Sequence, residues 1–151
     1  MKGKPSPFQG HQVRIALVRE TSKSMLPSTY VKTPEDAAEL MKELKEKDRE
    51  HFAVILLNTK NRVLGVEVVS IGTLDASLVS PREVLKSALL ANAAALVCVH
   101  NHPSGDPSPS AEDIRITKTL KQAAKIMDIN ILDHVIIGDT EHVSLRELGI
   151  L

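Results

Sequence analysis

Apolar and polar positions along the chain alternate with two different periods, and the switches between them mark the elements. His11 to Arg19 alternates with Val13, Ile15 and Leu17 on one side, the period of two expected of a strand. Residues 1–10 carry Gly, Pro and Lys and read as a flexible arm; Glu20 to Lys32 reads as a polar link. Thr33-Pro34-Glu35-Asp36 then supplies an N-cap, a proline at the first helical position and two acids, which predicts a helix start. Ala37, Leu40, Met41 and Leu44 recur at helical spacing, and the run from Lys42 to Glu50, with its signs balanced at i,i+4, reads as that helix's solvated face. Phe52 to Leu57 is a continuous apolar run, expected to be a central strand buried on both faces. Asn58 to Asn61 predicts a turn and Arg62 to Ser70 a returning strand, so this pair reads as a hairpin.

Ser80-Pro81-Arg82-Glu83 predicts a capping box and a helix to about Asn92, with Val84, Leu85, Ala88 and Ala91 facing inward. Ala95 to His100 is the next buried strand, ended by Pro103, which cannot donate to a ladder. Ser110 opens a third helix reaching about Met127, and Ile131–Ile137 with Glu141–Val143 form a closing pair around Gly138-Asp139. The order β-α-β-β-α-β-α-β-β predicts an α/β protein with a single mixed β-sheet flanked by helices, one domain over residues 11–151.

Composition narrows the function classes. Lys plus Arg equals Asp plus Glu at nineteen each, so the formal charge is zero, whereas a chain built to neutralise phosphates carries a basic excess. Nucleic acid is therefore not indicated by charge, although a local patch stays open. Phe8, Tyr30 and Phe52 offer no base-stacking platform. The single cysteine, Cys98, excludes an intrachain disulfide and fits a reducing compartment. No apolar stretch approaches the ~20 residues that span a bilayer, and MKGKPSPFQG lacks the apolar core of a signal peptide. These features predict a soluble cytoplasmic protein with no membrane partner, a homo-oligomer being left open.

The chemistry concentrates in His100-Asn101-His102-Pro103-Ser104-Gly105-Asp106-Pro107-Ser108-Pro109-Ser110-Ala111-Glu112-Asp113. On a strand Cys98, His100 and His102 share one face, while Val97, Val99 and Asn101 share the other. Two imidazoles on one face at a strand's end sit where ligands commonly bind in α/β sheets, although a His-x-His alone is as well explained by hydrogen-bonded core histidines. Ser110 and Asp113 have the spacing of a helix cap. Asp113 also stands in line with Thr117, Leu120, Ala124 and Met127, the stripe expected to be buried, and an acid there needs a cation or donors. Both readings hold if Ser110 caps while Asp113 reaches inward. Pro103 to Pro109 holds three prolines and one glycine, a stiff connection that returns the acid to the histidines. Two nitrogens and one carboxylate leave a tetrahedral zinc ion one open position, the pattern of a catalytic site.

His-x-His, seven residues, then Ser-x-x-Asp resembles the signature of the JAMM (MPN+) metalloproteases, and HNHPSGDPSPSAED with LDHVIIGD at 132–139 resembles its RadC branch. The likeness covers roughly residues 35–148. It implies a cytidine-deaminase-like JAB/MPN fold and one Zn2+ held by His100, His102 and Asp113 with water as fourth ligand. It implies a hydrolase of peptide or isopeptide bonds acting on an unknown peptide or protein conjugate. RadC proteins typically carry an N-terminal helix-hairpin-helix module; the thirty or so residues before the domain read instead as an arm and a strand, so that module is expected to be lacking. JAMM enzymes also use an upstream glutamate where the first helix meets the first core strand. Glu50 matches, with Glu67 in the second strand as competitor and a solvated surface charge as the plain alternative. In that chemistry the glutamate accepts a proton from the zinc-polarised water and passes it to the leaving amine, and Ser110 donates to the oxyanion, a contact worth ~3 kcal/mol.

The remaining candidates read more plainly. Cys98 is expected to fill core space, since a sulfur ligand would close the site to water. Asp133-His134 reads as structural hydrogen bonding, or alternatively as a pair orienting a metal-bound histidine. His11, His51 and His142 are isolated. Two other function classes compete: a DNA-repair-associated or nucleic-acid-processing factor, and a non-catalytic MPN interaction domain. His-Asn-His on one strand is not the dispersed motif of the HNH nucleases, and one cysteine cannot supply the Pro-Cys-x-x-Cys of nucleobase deaminases. A degenerate interaction domain would be expected to lose the ligands that this chain keeps.

Overall fold

Three caps set the helices. Thr33 Oγ1 accepts from the Asp36 N–H at 3.2 Å while Asp36 accepts from the Thr33 N–H at 3.0 Å, so α1 (Pro34–Leu40) opens on a full capping box. Ser110 and Asp113 do the same for α3 (Ala111–Ile126). At α2 (Pro81–Leu90) the expected box is only half formed. Ser80 accepts from the Glu83 N–H, but the Glu83 carboxylate turns outward to Lys86 Nζ at 2.8 Å. Asn92 and Asp128 stand at φ 52° and 57° just past α2 and α3, a conformation in which neither helix can continue. The computed structural model describes residues 15, 16, 18, 29–72 and 79–151. The arm at 1–10 and almost all of the strand expected over 11–19 lie outside the described residues.

The strands are β1 (His51–Leu57), β2 (Val63–Ile71), β3 (Ala95–Asn101), β4 (Asn130–Ile137) and β5 (His142–Ser144). They form one mixed sheet in the order β2-β1-β3-β4-β5. β1 and β2 make the expected antiparallel hairpin, β1 runs antiparallel to β3, β3 parallel to β4, and β4 antiparallel to β5. The one parallel pair is joined through α3, the crossover that such a pair requires.

Alternation sorts the side chains into two cores. Phe52, Val54, Leu56, Leu96 and Cys98 face α2 and α3, meeting Val84, Leu85, Ala88, Ile116, Leu120 and Ala124. Ala53, Ile55, Leu57, Val97, Val99, Val135 and Ile137 face α1 and the turn after it, meeting Ala37, Met41 and Leu44. Both faces of the sheet are thus covered, which explains why β1 and β3 read as unbroken apolar runs. On α3 the buried stripe is Asp113, Ile116, Thr117, Leu120 and Ala124; Met127, expected to extend it, is 44% exposed because it lies past the helix end.

One expectation fails between α1 and β1. The charged run does not prolong the helix to Glu50: α1 stops at Leu40, a 3-10 turn follows at Lys42–Glu46, and residues 47–50 are not helical. Leu44 is the last apolar residue before Phe52, so nothing beyond it anchors a helical face to the core. The ion pairs that form are Lys42 with Glu39, Lys45 with Glu46 and Arg49 with Asp48, none at the expected i,i+4 spacing.

Candidate metal centre

β3 carries His100 into the face covered by α3, and His102 lies just past the strand end, where its N–H still bonds Ile137 C=O at 2.9 Å. The chain then turns through Pro103–Pro109. Gly105, at φ +87°, closes that turn by donating its N–H to His102 C=O at 2.9 Å, and its own carbonyl accepts from the Asp139 N–H at 3.0 Å. Asp106 C=O accepts the Nδ1–H of His102 at 2.8 Å. Since a carbonyl cannot donate, this bond places the ring proton on Nδ1 and leaves Nε2 of neutral His102 with a lone pair.

Asp113 arrives from the first turn of α3. Its Oδ1 lies 3.2 Å from His100 Nε2 and its Oδ2 3.3 Å from His102 Nε2. One ligand atom from each of the three residues lies within 4.8 Å of the others. The His100 and Asp113 side chains are 0% and 1% exposed, and His102 12%, so the cluster meets solvent on the His102 side only. The two Nε2 atoms stand 2.9 Å apart. Two imidazole lone pairs beside a carboxylate at that distance need a cation between them, a proton or a metal ion, and the donor set suits a divalent metal. Phe52 walls the cluster, its ring stacked 6.0 Å from that of His100.

The electrostatics agree. Burial opposes ionisation of Asp113, but its contacts with the His100 and His102 rings outweigh it and hold the carboxyl well below the usual carboxylate range. The bond to Asp113 raises His102 above the ordinary histidine value against its own partial burial, and the charges of Asp113 and Glu50 add to the rise. Cys98, fully buried one pleat deeper, has its thiol pushed far up by desolvation and takes no part in the cluster.

Glu50 immediately precedes β1. Phe52 pairs with His100 at the end of the antiparallel ladder, Glu50 lies two residues before Phe52, and its charge is felt by His102. Asn101 brackets it: its Oδ1 accepts from His51 N–H at 2.7 Å and its Nδ2 donates to Arg49 C=O at 2.9 Å. Glu50 C=O in turn accepts from Gly72 N–H at 2.9 Å. Glu67, the competitor, pairs with Val54, which faces Cys98 rather than His100, and its charge is felt by Lys86. Ser110 Oγ accepts from Asp113 N–H at 3.1 Å, leaving the hydroxyl proton for another acceptor.

Sequence reasoning gave Asn101 and Thr117 no role at the site, and His134 one only as an alternative. Asn101, read only as a residue of the other face, is 1% exposed and ties β3 to the backbone around Glu50. Thr117 and His134 lie beneath His100, with His134 Nε2 2.7 Å from His100 Nδ1. Asp133 and His134, read as a pair, point to opposite faces: Asp133 accepts from Ser144 Oγ at 2.6 Å and from the Arg146 N–H at 3.1 Å. Strand parity was the available signal, since adjacent residues cannot both support one histidine. His142 meets Glu35 at 3.6 Å and His51 Nδ1 donates to Arg49 C=O; neither joins the cluster, and His11 lies outside the described residues.

A sheet covered on both faces, with two imidazoles and a carboxylate gathered at the carboxyl end of an inner strand, defines the class as an α/β domain of the JAB/MPN type. The sequence profile of the RadC-like JAB domain matches residues 31–150, and the chain belongs to that family. A UPF0758 protein of Desulfitobacterium hafniense is 49% identical over 134 residues, 88% of this chain and 59% of the relative. One from Desulforamulus reducens is 47% identical over 149 residues, 96% of this chain and 66% of the relative. One from the archaeon Methanosarcina mazei is 51% identical over 124 residues, 82% and 54% of the two chains. The chain thus spans about three fifths of the length of the relatives it matches. No helix among the described residues is long and apolar enough to cross a membrane.

Proposed function

We propose that the protein is a zinc-dependent hydrolase that cleaves a peptide or isopeptide amide. The observation that carries the reading is the convergence of His100, His102 and Asp113 within 4.8 Å, closed to solvent except beside His102. These three residues would hold the ion by two nitrogens and one carboxylate oxygen. When bound, zinc supplies Lewis acidity and brings the pKa of a water down to about 7.

The rest of the chemistry belongs to the chain. Glu50, whose charge is felt by His102, takes up a proton from the attacking water on its carboxylate and delivers it to the leaving amine nitrogen. The bracket of Asn101 around Glu50 keeps its backbone fixed while that proton moves. Ser110 donates its hydroxyl proton to the oxyanion that forms when the amide carbonyl is attacked. His102 marks the open side, where an extended substrate would enter. The substrate class is a peptide or protein conjugate, and the reducing compartment implied by the lone Cys98 is the cytoplasm.

The test combines metal analysis with a panel of fluorogenic peptide and isopeptide substrates. The full chain binds one equivalent of zinc, His100→Ala and Asp113→Ala lose it, and Glu50→Gln keeps zinc but loses hydrolysis. Undiminished zinc in either ligand variant overturns the ligand set. Zinc bound as expected with no cleavage across the panel favours the non-catalytic interaction domain instead.

A further inference from the structure

A chain of buried hydrogen bonds runs beneath the cluster on the side away from solvent, through residues the hydrolytic chemistry does not use. Thr117 Oγ1 lies 2.6 Å from the Asp113 carbonyl oxygen and 2.6 Å from His134 Nδ1. His134 Nε2 lies 2.7 Å from His100 Nδ1. Thr117 is 2% exposed, and His134 and His100 are fully buried, so no water completes the bonds from outside.

Counting protons fixes the direction of every link. Thr117 has one hydroxyl proton and the Asp113 carbonyl has none. Were that proton aimed at His134, two oxygens would face each other at 2.6 Å with nothing between them, a costly arrangement in the interior. Thr117 therefore donates to the carbonyl and accepts from the Nδ1–H of His134. A charge on so buried a ring, with no carboxylate bonded to it, is strongly disfavoured. Neutral His134 has a single ring proton, already placed on Nδ1, so its Nε2 is an acceptor. His100 must then donate its Nδ1–H, and the lone pair on its Nε2 faces Asp113 and His102.

We propose that His134, oriented by Thr117, is a positioning residue that holds His100 in the one tautomer able to bind a metal ion through Nε2. The proposal rests on the metal-centre reading above and gives it a cause. His102 is set in the same tautomer by the Asp106 carbonyl, so in their neutral forms both imidazoles present Nε2 to an incoming ion. The circuit also closes on itself, because the carbonyl at its far end belongs to Asp113, the third ligand. A histidine on β4 and a threonine on α3 thereby fix the ring on β3 relative to the carboxylate on α3. Neither His134 nor Thr117 is on the open side; His134 acts through His100, and Thr117 through His134 and the Asp113 carbonyl.

The experiment begins with the metal-free full chain, 15N-labelled at histidine, using long-range proton–nitrogen correlation to read ring tautomers. His134 and His100 are both expected as Nδ1–H forms. A proton on Nε2 of His134 overturns the proposal. Zinc affinity by chelator competition supplies the second readout. Thr117→Val, nearly isosteric, weakens binding about tenfold and lets His134 populate the other tautomer, while Thr117→Ser restores both. His134→Phe weakens binding about 10- to 100-fold, and His134→Gln, whose side-chain oxygen can accept from His100, recovers most of the loss. Affinities unchanged in Thr117→Val and His134→Phe overturn the proposal, as does a loss that the conservative variants fail to repair. A chain that takes up no divalent ion yet shows both Nδ1–H forms upholds the tautomer assignment and overturns the hydrolase reading, so the two failures are distinguishable.

Discussion

Gly138→Ala offers a sharp test of how the loop and the ligands are coupled. Gly138 follows β4, and a Cβ built on it would overlap the Gly105 carbonyl oxygen, lie 2.8 Å from Pro107 Cδ and meet the Glu141 carbonyl at 3.2 Å. The first obstacle is backbone and cannot swing aside. To restore an ordinary C···O separation of about 3.3 Å, the Pro103–Pro109 loop must retreat by about 1 Å. That retreat breaks the bond from Asp139 N–H to Gly105 C=O, now 3.0 Å, and stretches the 2.8 Å bond from His102 Nδ1–H to Asp106 C=O beyond hydrogen-bond range. Overpacking at about 1–3 kcal/mol and two lost bonds at about 0.5–1.5 kcal/mol each give a destabilisation of about 2–6 kcal/mol. His102, freed to turn, lowers zinc affinity about 10- to 100-fold. Gly105→Ala is the control. Its φ of +87° costs an alanine about 1–2 kcal/mol, but its Cβ meets only the carboxylate of exposed Asp139, which can move away, so zinc affinity is nearly preserved. Urea unfolding of the metal-free chain reads the stabilities and chelator competition reads the affinities. A destabilised Gly138→Ala that binds zinc as tightly as the unaltered chain would refute the coupling of loop to ligand.

Further outcomes follow from the site. Zinc affinity rises with pH and levels off once the pH passes the raised pKa of His102, because the ion must displace the proton that Asp113 and Glu50 help to hold there; competition titrations between about pH 6 and 9 check this. Burial lowers His134 well below 6.5, so below that pH the unfolded chain binds a proton that the fold refuses, and stability falls with acidification; His134→Phe flattens this slope in unfolding curves between about pH 6.5 and 4.5. Asp113→Asn keeps an acceptor for the Ser110 N–H, so helix content by circular dichroism is maintained while zinc uptake is lost. Asn101→Ala lowers turnover while leaving zinc stoichiometry at one, since it loosens the backbone around Glu50 and no ligand; a parallel loss of zinc would show that Asn101 supports His100 and His102 instead.

What was legible in the chain was local. Thr33, Ser80 and Ser110 each stand immediately before a helix, and parity within Val97–His102 sorts the histidines from the opposite core without any tertiary information. The inward turn of Asp113 followed from its place on the apolar stripe of α3. The rest depended on register and on contacts between distant segments. Glu50 and Glu67 are both acids near an apolar strand, and only the pairing of Phe52 with His100 separates them. Asn101, Thr117 and His134 become informative only when β1, β4 and α3 are brought against β3. The charged stretch after Leu44 misled because balanced charges are compatible with a helix but do not require one.

The dual use of Asp113 has a consequence for how the protein is assembled. Its Oδ2 accepts from the Ser110 N–H at 2.7 Å, so the same carboxylate that faces the imidazoles also starts α3. The bond needs no ion, and the first turn of the helix is in place beforehand. Unlike a zinc finger, which acquires its shape from the metal, this scaffold is expected to keep its fold when a chelator strips a bound ion. Metal exchange at the proposed site would then be separate from chain folding, each free to run at its own rate.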